Sequence, residues 1–481
     1  MYLDRIVIER FKLMEHLEID LCGGEGLRPR KFTVIIGPNG CGKSSVLQAI
    51  AMTAVGAAEI NNLANEVREH VVDRRNEESM CLSAIWRVGG DRLRSEVELA
   101  SNSYSYSARA ISWTPGGPIG EEPQPDPLVA ARGSAEQGAG RDWLVAAYGV
   151  HRFVTAGRPE APRQPSVDRL RSVFSPTTTL VGPHFLERVG PERSQEMAAL
   201  FRTVMRKIEP HLPGMVDLEL RGQGGIQFPA DLISRARFRQ TVRAPGQQEA
   251  LSLPLPALAH GLQSIVAWVT DLVGSFGADP GLGWAERPRR GGPRARDAWA
   301  EATLAGFRGT VLIDEIDLHL HPMWQRGIVP ALRAAFPALQ FIVTTHSPVV
   351  LAQVAPEEII RLDIDDETGN ICEVAFDEES GELEPRSRLG SRAWVPDPRQ
   401  QTVGELMQAM FRLDTPYANP MGGDLRRYLA LRSAETTPPA RSAASTATGR
   451  RRNANRLDSL RDSLAAAGVV VDRDAIERVP P

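Results

Sequence analysis

Lysine is the scarcest basic residue in this sequence. It stands only at Lys12, Lys31, Lys43 and Lys207, whereas arginine fills nearly every other basic position. A lysine that persists against such a background points to a task that arginine's planar, bulky head performs badly. Cysteine is also sparse. Cys22, Cys41, Cys81 and Cys372 lie far apart and match neither a zinc-ligand spacing nor a disulfide framework, so they read as reduced thiols. No uninterrupted apolar run reaches the length of a bilayer span, because the longest candidate, residues 251–273, is broken by His260, Gln263, Asp271 and prolines. The first ten residues alternate charged with β-branched side chains and do not read as a signal peptide. A cytoplasmic location with no membrane partner is the expectation. Strong charge of one sign is missing too: the formal net charge is -4, which sets up no global field toward DNA or an anionic surface. Any nucleic-acid contact would need a local basic patch. Sustained heptads are lacking, which excludes a long coiled-coil arm.

What is present is globular. The 481 residues, 42% of them hydrophobic, suffice for one large domain or two to three ordinary ones. Residues 6–21 alternate apolar and polar, as two half-buried antiparallel strands with a turn near 14–16 would. Residues 31–36 form a short apolar run that ends at a glycine cluster and suits a central parallel strand. Beyond it Leu47, Ile50, Ala51, Ala54, Val55 and Ala58 recur at helical spacing. Residues 81–110 read as a strand meander. Residues 113–141 are rich in Gly and Pro and read as an exposed loop, as do 156–164 and 274–295. The clearest helix of the middle region is 192–208. Two further β-branched strands, 310–313 and 340–344, end in polar residues and flank a helix over 324–336 with a kink at Pro330. Residues 433–453 are too poor in apolar side chains to fold, and Leu457, Leu460 and Leu464 form a last amphipathic segment.

Gly37, Pro38, Asn39, Gly40, Cys41, Gly42, Lys43 and Ser44 match the pattern GxxxxGK[ST], between a predicted strand and a predicted helix. Glycines there let the backbone wrap phosphate oxygens with successive N–H groups, and the positive end of the helix faces the anion. Lys43 bridges β- and γ-phosphates as a compact ammonium, Ser44 offers a hydroxyl to Mg²⁺, and Ser45 continues the cradle. ATP is therefore the expected substrate and Mg²⁺ the expected cofactor. The strand 311–313 ends in Asp314 and Glu315. Asp314 would join Ser44 in the metal shell, and Glu315 would orient or deprotonate the attacking water. The strand 340–344 leads to His346, which in an open parallel sheet would share the same crevice and could sense the γ-phosphate; a core or capping histidine is the alternative.

With these motifs the chain resembles the SMC/RecF-like branch of ABC-type ATPases, also grouped as AAA-family ATPases. The matching phrases are FKLMEHLEIDL, KFTVIIGPNGCGKSSVLQAI, LIDEIDLHLHPMWQ and FIVTTHSPVVLAQV. The fold implied is an α/β P-loop NTPase of ABC-head type, a mixed sheet flanked by helices, with an antiparallel β subdomain and a helical insertion. The resemblance makes Asp317, His319 and His321 a D-loop at a dimer interface and His346 a switch histidine. It places the signature motif at Ala259, His260, Gly261 and Gln263, where Ala259 replaces the usual serine, so that hydrolysis would be slow. Tyr148-Gly149-x-x-Arg152 is similar to a phrase in related defence ATPases, with Arg152 touching phosphate or a partner subunit, or simply exposed. The expected organisation is an ATPase N-lobe over 1–112, a loop over 113–141, a mainly helical insertion over 142–255, an ATPase C-lobe over 256–375, a helical extension over 376–432 and a tail over 433–481. Residues past His346 lack the glutamate-led strand of a TOPRIM nuclease. The chain most resembles stand-alone ATPases of Septu-like and retron-associated phage-defence systems, which implies an ATP-gated homodimer controlling a separately encoded nuclease. A RecF-like DNA-repair ATPase that binds nucleic acid directly is the alternative.

Overall fold

The structure, a computed structural model, describes residues 1–23, 28–55, 60–64, 79–88, 91–99, 106–112, 144–152, 168–175, 180, 191–212, 217–220, 236–244, 247–253, 257–258, 260–278, 293–411 and 459–460. The chain divides into two compact units, Met1–Gln400 and Gln401–Pro481.

The first unit is built around two sheets. One is antiparallel and five-stranded: β1 (Tyr2–Phe11), β2 (Met14–Asp20), β6 (Met80–Val88), β7 (Asp91–Leu99) and β8 (Ser107–Ser112), in the order β2-β1-β6-β7-β8. Its strands bury alternate residues, as the period-2 apolar pattern requires. Ile6, Ile8, Leu17, Ile19, Leu82, Trp86 and Val97 form one core with helix α1 (Lys43–Thr53). A short pair, β3 (Cys22–Gly23) and β4 (Arg28–Pro29), leads from β2 toward the second sheet, and α2 (Ile60–Ala64) follows α1.

The second sheet carries the site. Its parallel part is β5 (Phe32–Ile36), β9 (Val145–Tyr148), β13 (Gly309–Ile313), β14 (Leu339–Thr344) and β15 (Ile359–Ile364), in the order β15-β5-β14-β13-β9. Every residue of β5, β9, β13 and β14 is buried, the expected state of continuous apolar runs covered on both faces. The antiparallel strands β16 (Ile371–Asp377), β17 (Leu383–Pro385) and β18 (Ala393–Trp394) extend it beyond β15. Gln340 joins the two sheets: its amide accepts from Leu3 N at 2.7 Å, donates to Leu3 O at 2.9 Å, and accepts from Thr310 Oγ1 at 2.9 Å.

Helices α3 (Pro191–Ile208), α4 (His260–Ala278), α5 (Pro293–Gly306) and α6 (Pro322–Ala335) form the helical side, with α3 packing on the other three. The short α7 (Pro348–Leu351) follows β14, and α8 (Arg386–Leu389) packs on β16 and β17. A three-stranded antiparallel sheet, β10 (Asp217–Leu220), β11 (Ala236–Ala244) and β12 (Gln247–Leu253), lies in the chain between α3 and α4. In the second unit α9 (Val403–Phe411) opens with a reciprocal cap: Glu405 Oε2 accepts from Thr402 N at 2.7 Å, and Thr402 Oγ1 accepts from Glu405 N at 3.3 Å.

The architecture matches the sequence reading, with differences in extent. The region 142–255 is mixed rather than mainly helical, because β10 to β12 fall within it and β9 is an integral strand of the parallel sheet. Strand pairing runs on through β18, so residues 376–394, expected in a helical extension, continue the second sheet, and α9 follows them. The first hairpin turns at Lys12 and Leu13, with Phe11 opposite Met14, two residues earlier than the apolar pattern suggests. Residues 274–278 and 293–295, read as loop, are helical: they form the last turn of α4 and the first turn of α5, where Pro293 suits the opening position. The predicted loops at 113–141 and 156–164, the tail at 433–453 and most of the segment around Leu457 lie outside the described residues.

Candidate nucleotide site

Three neighbouring parallel strands, β13, β14 and β5, end on the same edge of the sheet, and the candidate residues follow those ends directly. After β5 the chain enters the glycine loop. Gly37 leaves β5 with φ 150°, and a Cβ there would stand 2.2 Å from Leu362 O, so only glycine lets the loop lie against β15. Gly42 enters α1 in the left-handed region at φ 80°, wedged against Ile371 and Met14. Pro38, Asn39, Gly40 and Ser44 are exposed, while Cys41 and Lys43 are buried. The Lys43 ammonium donates back to Gly37 O at 2.9 Å and Pro38 O at 2.8 Å, which holds it inside the loop it serves. Burial pushes the Cys41 thiol up, so it stays a neutral filler beneath the loop.

A second ammonium reaches the same helix start. Lys12, on the left-handed turn between β1 and β2, donates to Ser45 Oγ at 2.9 Å and Gln48 Oε1 at 2.8 Å, and burial lowers its pKa. Lys12 is among the few lysines retained, yet its sequence position alone gave it no role, because only the hairpin's return brings it over α1.

At the end of β13, Asp314 is buried and accepts from Thr344 Oγ1 at 2.6 Å. The same hydroxyl accepts from Glu315 N at 2.7 Å. Glu315 itself is left-handed, φ 45°, a conformation that costs a non-glycine residue roughly 1–2 kcal/mol. Glu315 is half-buried. The Arg152 guanidinium closes the other side of this turn, donating to Asp314 O at 2.6 Å and to Glu315 O. Arg152 is 2% exposed; burial lowers its pKa to about 10 against the opposing pull of Asp314, Asp317 and Glu315. Of the two alternatives for Arg152, the simply exposed arginine is thereby corrected: the side chain is buried and grips the acidic strand end.

His346 follows β14. Burial lowers its pKa first, the Lys43 charge lowers it further, and Asp317, Glu315 and Asp314 pull the other way. The histidine, the lysine and the acidic residues therefore share one electrostatic neighbourhood. Next to it Thr345 Oγ1 donates to Asp317 Oδ1, and Ser347 Oγ donates to Gln325 Oε1 at 2.7 Å while capping α7.

The signature candidates sit in a second cluster. Ala259 lies outside the described residues. His260 opens α4 and is exposed; Gly261 is buried where a Cβ would stand 2.3 Å from His319 O; and Gln263 Nε2 donates to Leu258 O at 2.6 Å. The rings of His260 and His319 are 6.3 Å apart, with His319 exposed and left-handed at φ 63°. His321 is exposed and caps α6, its Nδ1 accepting from Met323 N at 3.3 Å. The start of α4 and the segment from Asp317 to His321 are thus brought together, and Asp317 ties this cluster to the end of β14. Among the described residues no group of three or more His, Cys, Asp or Glu side chains forms a metal cage of its own. A site completed by Ser44, Asp314 and phosphate oxygens is the arrangement that suits Mg²⁺, which keeps few protein ligands.

The two stretches that carry the glycine loop and the acidic strand end match family models of AAA domains. The family model described as "AAA domain" matches residues 5–108, and the one described as "AAA domain, putative AbiEii toxin, Type IV TA system" matches residues 295–352. The chain is similar to the Septu protein PtuA of Bacillus mycoides (strain KBAB4), at 26% identity over 367 residues, covering 75% of this chain and 40% of that relative. It is similar over a shorter stretch to the Retron Vc95 probable ATPase of Vibrio cholerae serotype O1 biovar El Tor, 59% identical over 59 residues, 12% of this chain and 11% of that one. The chain thus spans less than half the length of these curated relatives. Among solved structures, the SMC head domain from Thermotoga maritima aligns with 78% of this chain and 99% of its own at 15% identity, TM-score 0.41. No helix of the described residues is long and apolar enough to cross a membrane.

Proposed function

We propose that the chain binds Mg²⁺-ATP at the edge where β5, β13 and β14 end, hydrolyses it slowly, and uses it to close a homodimer that governs a separately encoded effector nuclease in phage defence. The observation that carries this reading is the convergence of Lys43, Asp314, Glu315 and His346 at three adjacent strand ends, with Lys43 close enough to depress the His346 pKa. In it, Gly37 to Ser45 cradle the phosphates with backbone N–H groups, Lys43 neutralises the β- and γ-oxygens, and Ser44 and Asp314 hold the metal. A bound Mg²⁺ would supply charge neutralisation at the phosphates. Glu315 accepts a proton from the attacking water, and neutral His346 donates its ring N–H to a γ-phosphate oxygen. The exposed cluster of His260, His319 and His321 beside Gly261 is the surface offered to the phosphate of a second copy, with the α4 N-terminus supplying the positive end. The nuclease partner is carried over from the likeness to Septu PtuA and the retron ATPase, and rests on that likeness.

The test is mass photometry of the wild type and Glu315→Gln with ATP and Mg²⁺. Slowed hydrolysis should trap ATP-dependent dimers in the variant. A variant that binds ATP yet stays monomeric would remove the dimer from this account. Salt-sensitive, ATP-dependent DNA binding by the isolated protein would instead favour direct action on nucleic acid.

A further inference from the structure

The segment Tyr148-Gly149-Val150-His151-Arg152 is fixed at both ends in a way that packing alone does not require. Tyr148 ends β9 beside Ile313, and its carbonyl accepts from Asp314 N at 2.8 Å. Its hydroxyl donates to Asp271 Oδ2 of α4 at 2.9 Å, and its ring lies 5.8 Å from that of Trp268 on the same helix. Gly149 N donates to Ser172 Oγ at 3.1 Å, and a Cβ on Gly149 would stand 2.0 Å from Ser172 O, so the chain must hug that loop to turn. The turn delivers Arg152 to the carbonyls of Asp314 and Glu315.

The consequence falls on Glu315. Its left-handed backbone is held on the N–H side by Thr344 Oγ1 and on the carbonyl side by Arg152, so two different strand ends determine where its carboxylate points. The helix that anchors Tyr148 is the one whose Gly261 rests on His319 O, one turn past Glu315. A closed circuit therefore runs from α4 through Tyr148 and Arg152 to Glu315 and back through residues 317–319 to the start of α4.

We propose that Arg152 is a positioning residue for ATP hydrolysis, which acts by fixing the left-handed turn that aims Glu315 and by linking that turn to α4 through Tyr148 and Asp271. Arg152 touches neither nucleotide nor metal in this role. The assignment rests on the ATPase reading above, and the experiment separates the two. Arg152→Lys keeps the charge but loses the fork that spans two carbonyls, and Arg152→Gln keeps a donor without the charge. Each is compared with the wild type by calorimetry of Mg²⁺-ATP binding, by steady-state hydrolysis, and in a Glu315→Gln background.

The expected result is ATP affinity within about 3-fold of wild type and kcat lowered by about 30-fold or more with KM little changed, the pattern of a group that acts on the reacting step. In the Glu315→Gln background either substitution should add almost nothing, because the two residues act as one unit. Hydrolysis by Arg152→Lys and Arg152→Gln within about 2-fold of wild type would overturn the assignment. So would a loss confined to ATP affinity, a loss that adds in full to that of Glu315→Gln, or failure of both variants to give a cooperative thermal melt. A wild-type protein that binds Mg²⁺-ATP without any turnover would sink the ATPase reading itself, whereas normal wild-type turnover with unaffected variants sinks only the role of Arg152.

Discussion

At His346 burial and one nearby charge decide the protonation state. Partial burial first, and then the Lys43 charge, outweigh the three carboxylates Asp317, Glu315 and Asp314, so the imidazole titrates below its ordinary value of 6.5 and is mostly neutral at pH 7. Because the pKa is lowered, protonation of His346 and any loss of hydrolysis that comes with it should appear at a more acidic pH than for an ordinary histidine. NMR titration of the His346 ring reads this directly, and a midpoint above 6.5 would show that the carboxylates dominate after all. The position of His346 just past a strand end was legible in the sequence because TTHSP follows an apolar run. The hydroxyl of Thr344, which fixes both Asp314 and Glu315, was not: a threonine ending a β-strand is ordinary, and only the parallel register between β13 and β14 puts it across from Asp314. Arg152 was noticed for its phrase, but its burial was not legible, since sequence spacing does not say which way a side chain leaves a turn.

Between elements, the decisive contacts are polar groups buried at helix–sheet junctions. The Tyr148 hydroxyl bonds Asp271 inside the core, and the nearby carboxylate together with burial drives the phenol pKa well up, so the proton stays on tyrosine. Tyr148→Phe removes a buried hydrogen bond to a carboxylate without changing shape, and should cost roughly 1–3 kcal/mol of stability. Chemical denaturation measures it; a variant as stable as the wild type would mean that α4 does not depend on this anchor. The β5–loop–α1 unit was readable in the sequence because strand period, glycine spacing and helix period all agree there. The region between β9 and α4 was less so. Strand β10 is only four residues long and β11 is interrupted by arginines, whereas the amphipathic helix α3 has a clear period and drew the whole region toward a helical reading.

For the molecule as a whole, the parallel strands set the direction of function. Their amino ends receive side chains that tie the two sheets together, Gln340 and Thr310 among them, while their carboxyl ends carry the candidate chemistry. Stability and reactivity are thereby placed at opposite edges of one sheet, the arrangement that open α/β folds favour for ligands. The class of fold was evident from three strand-end phrases, one at residues 37–44 and two far along the chain at Asp314 and His346, which adjacent parallel strands bring side by side. Beyond β15 the same sheet turns antiparallel, and the strands β17 and β18 that pair with β16 there are too short for their alternation to be read from the sequence.

The central claim is that a triphosphate is held by the loop from Gly37 to Ser45 and by the Lys43 ammonium. Calorimetric titration of Mg²⁺-ATP into the wild type and into Lys43→Ala tests it most directly. The wild type should bind, and the variant should lose at least about 100-fold in affinity, the scale of a charge-assisted contact removed from a buried site. Equal affinity in the two proteins would contradict the account, because the nucleotide would then be held somewhere else.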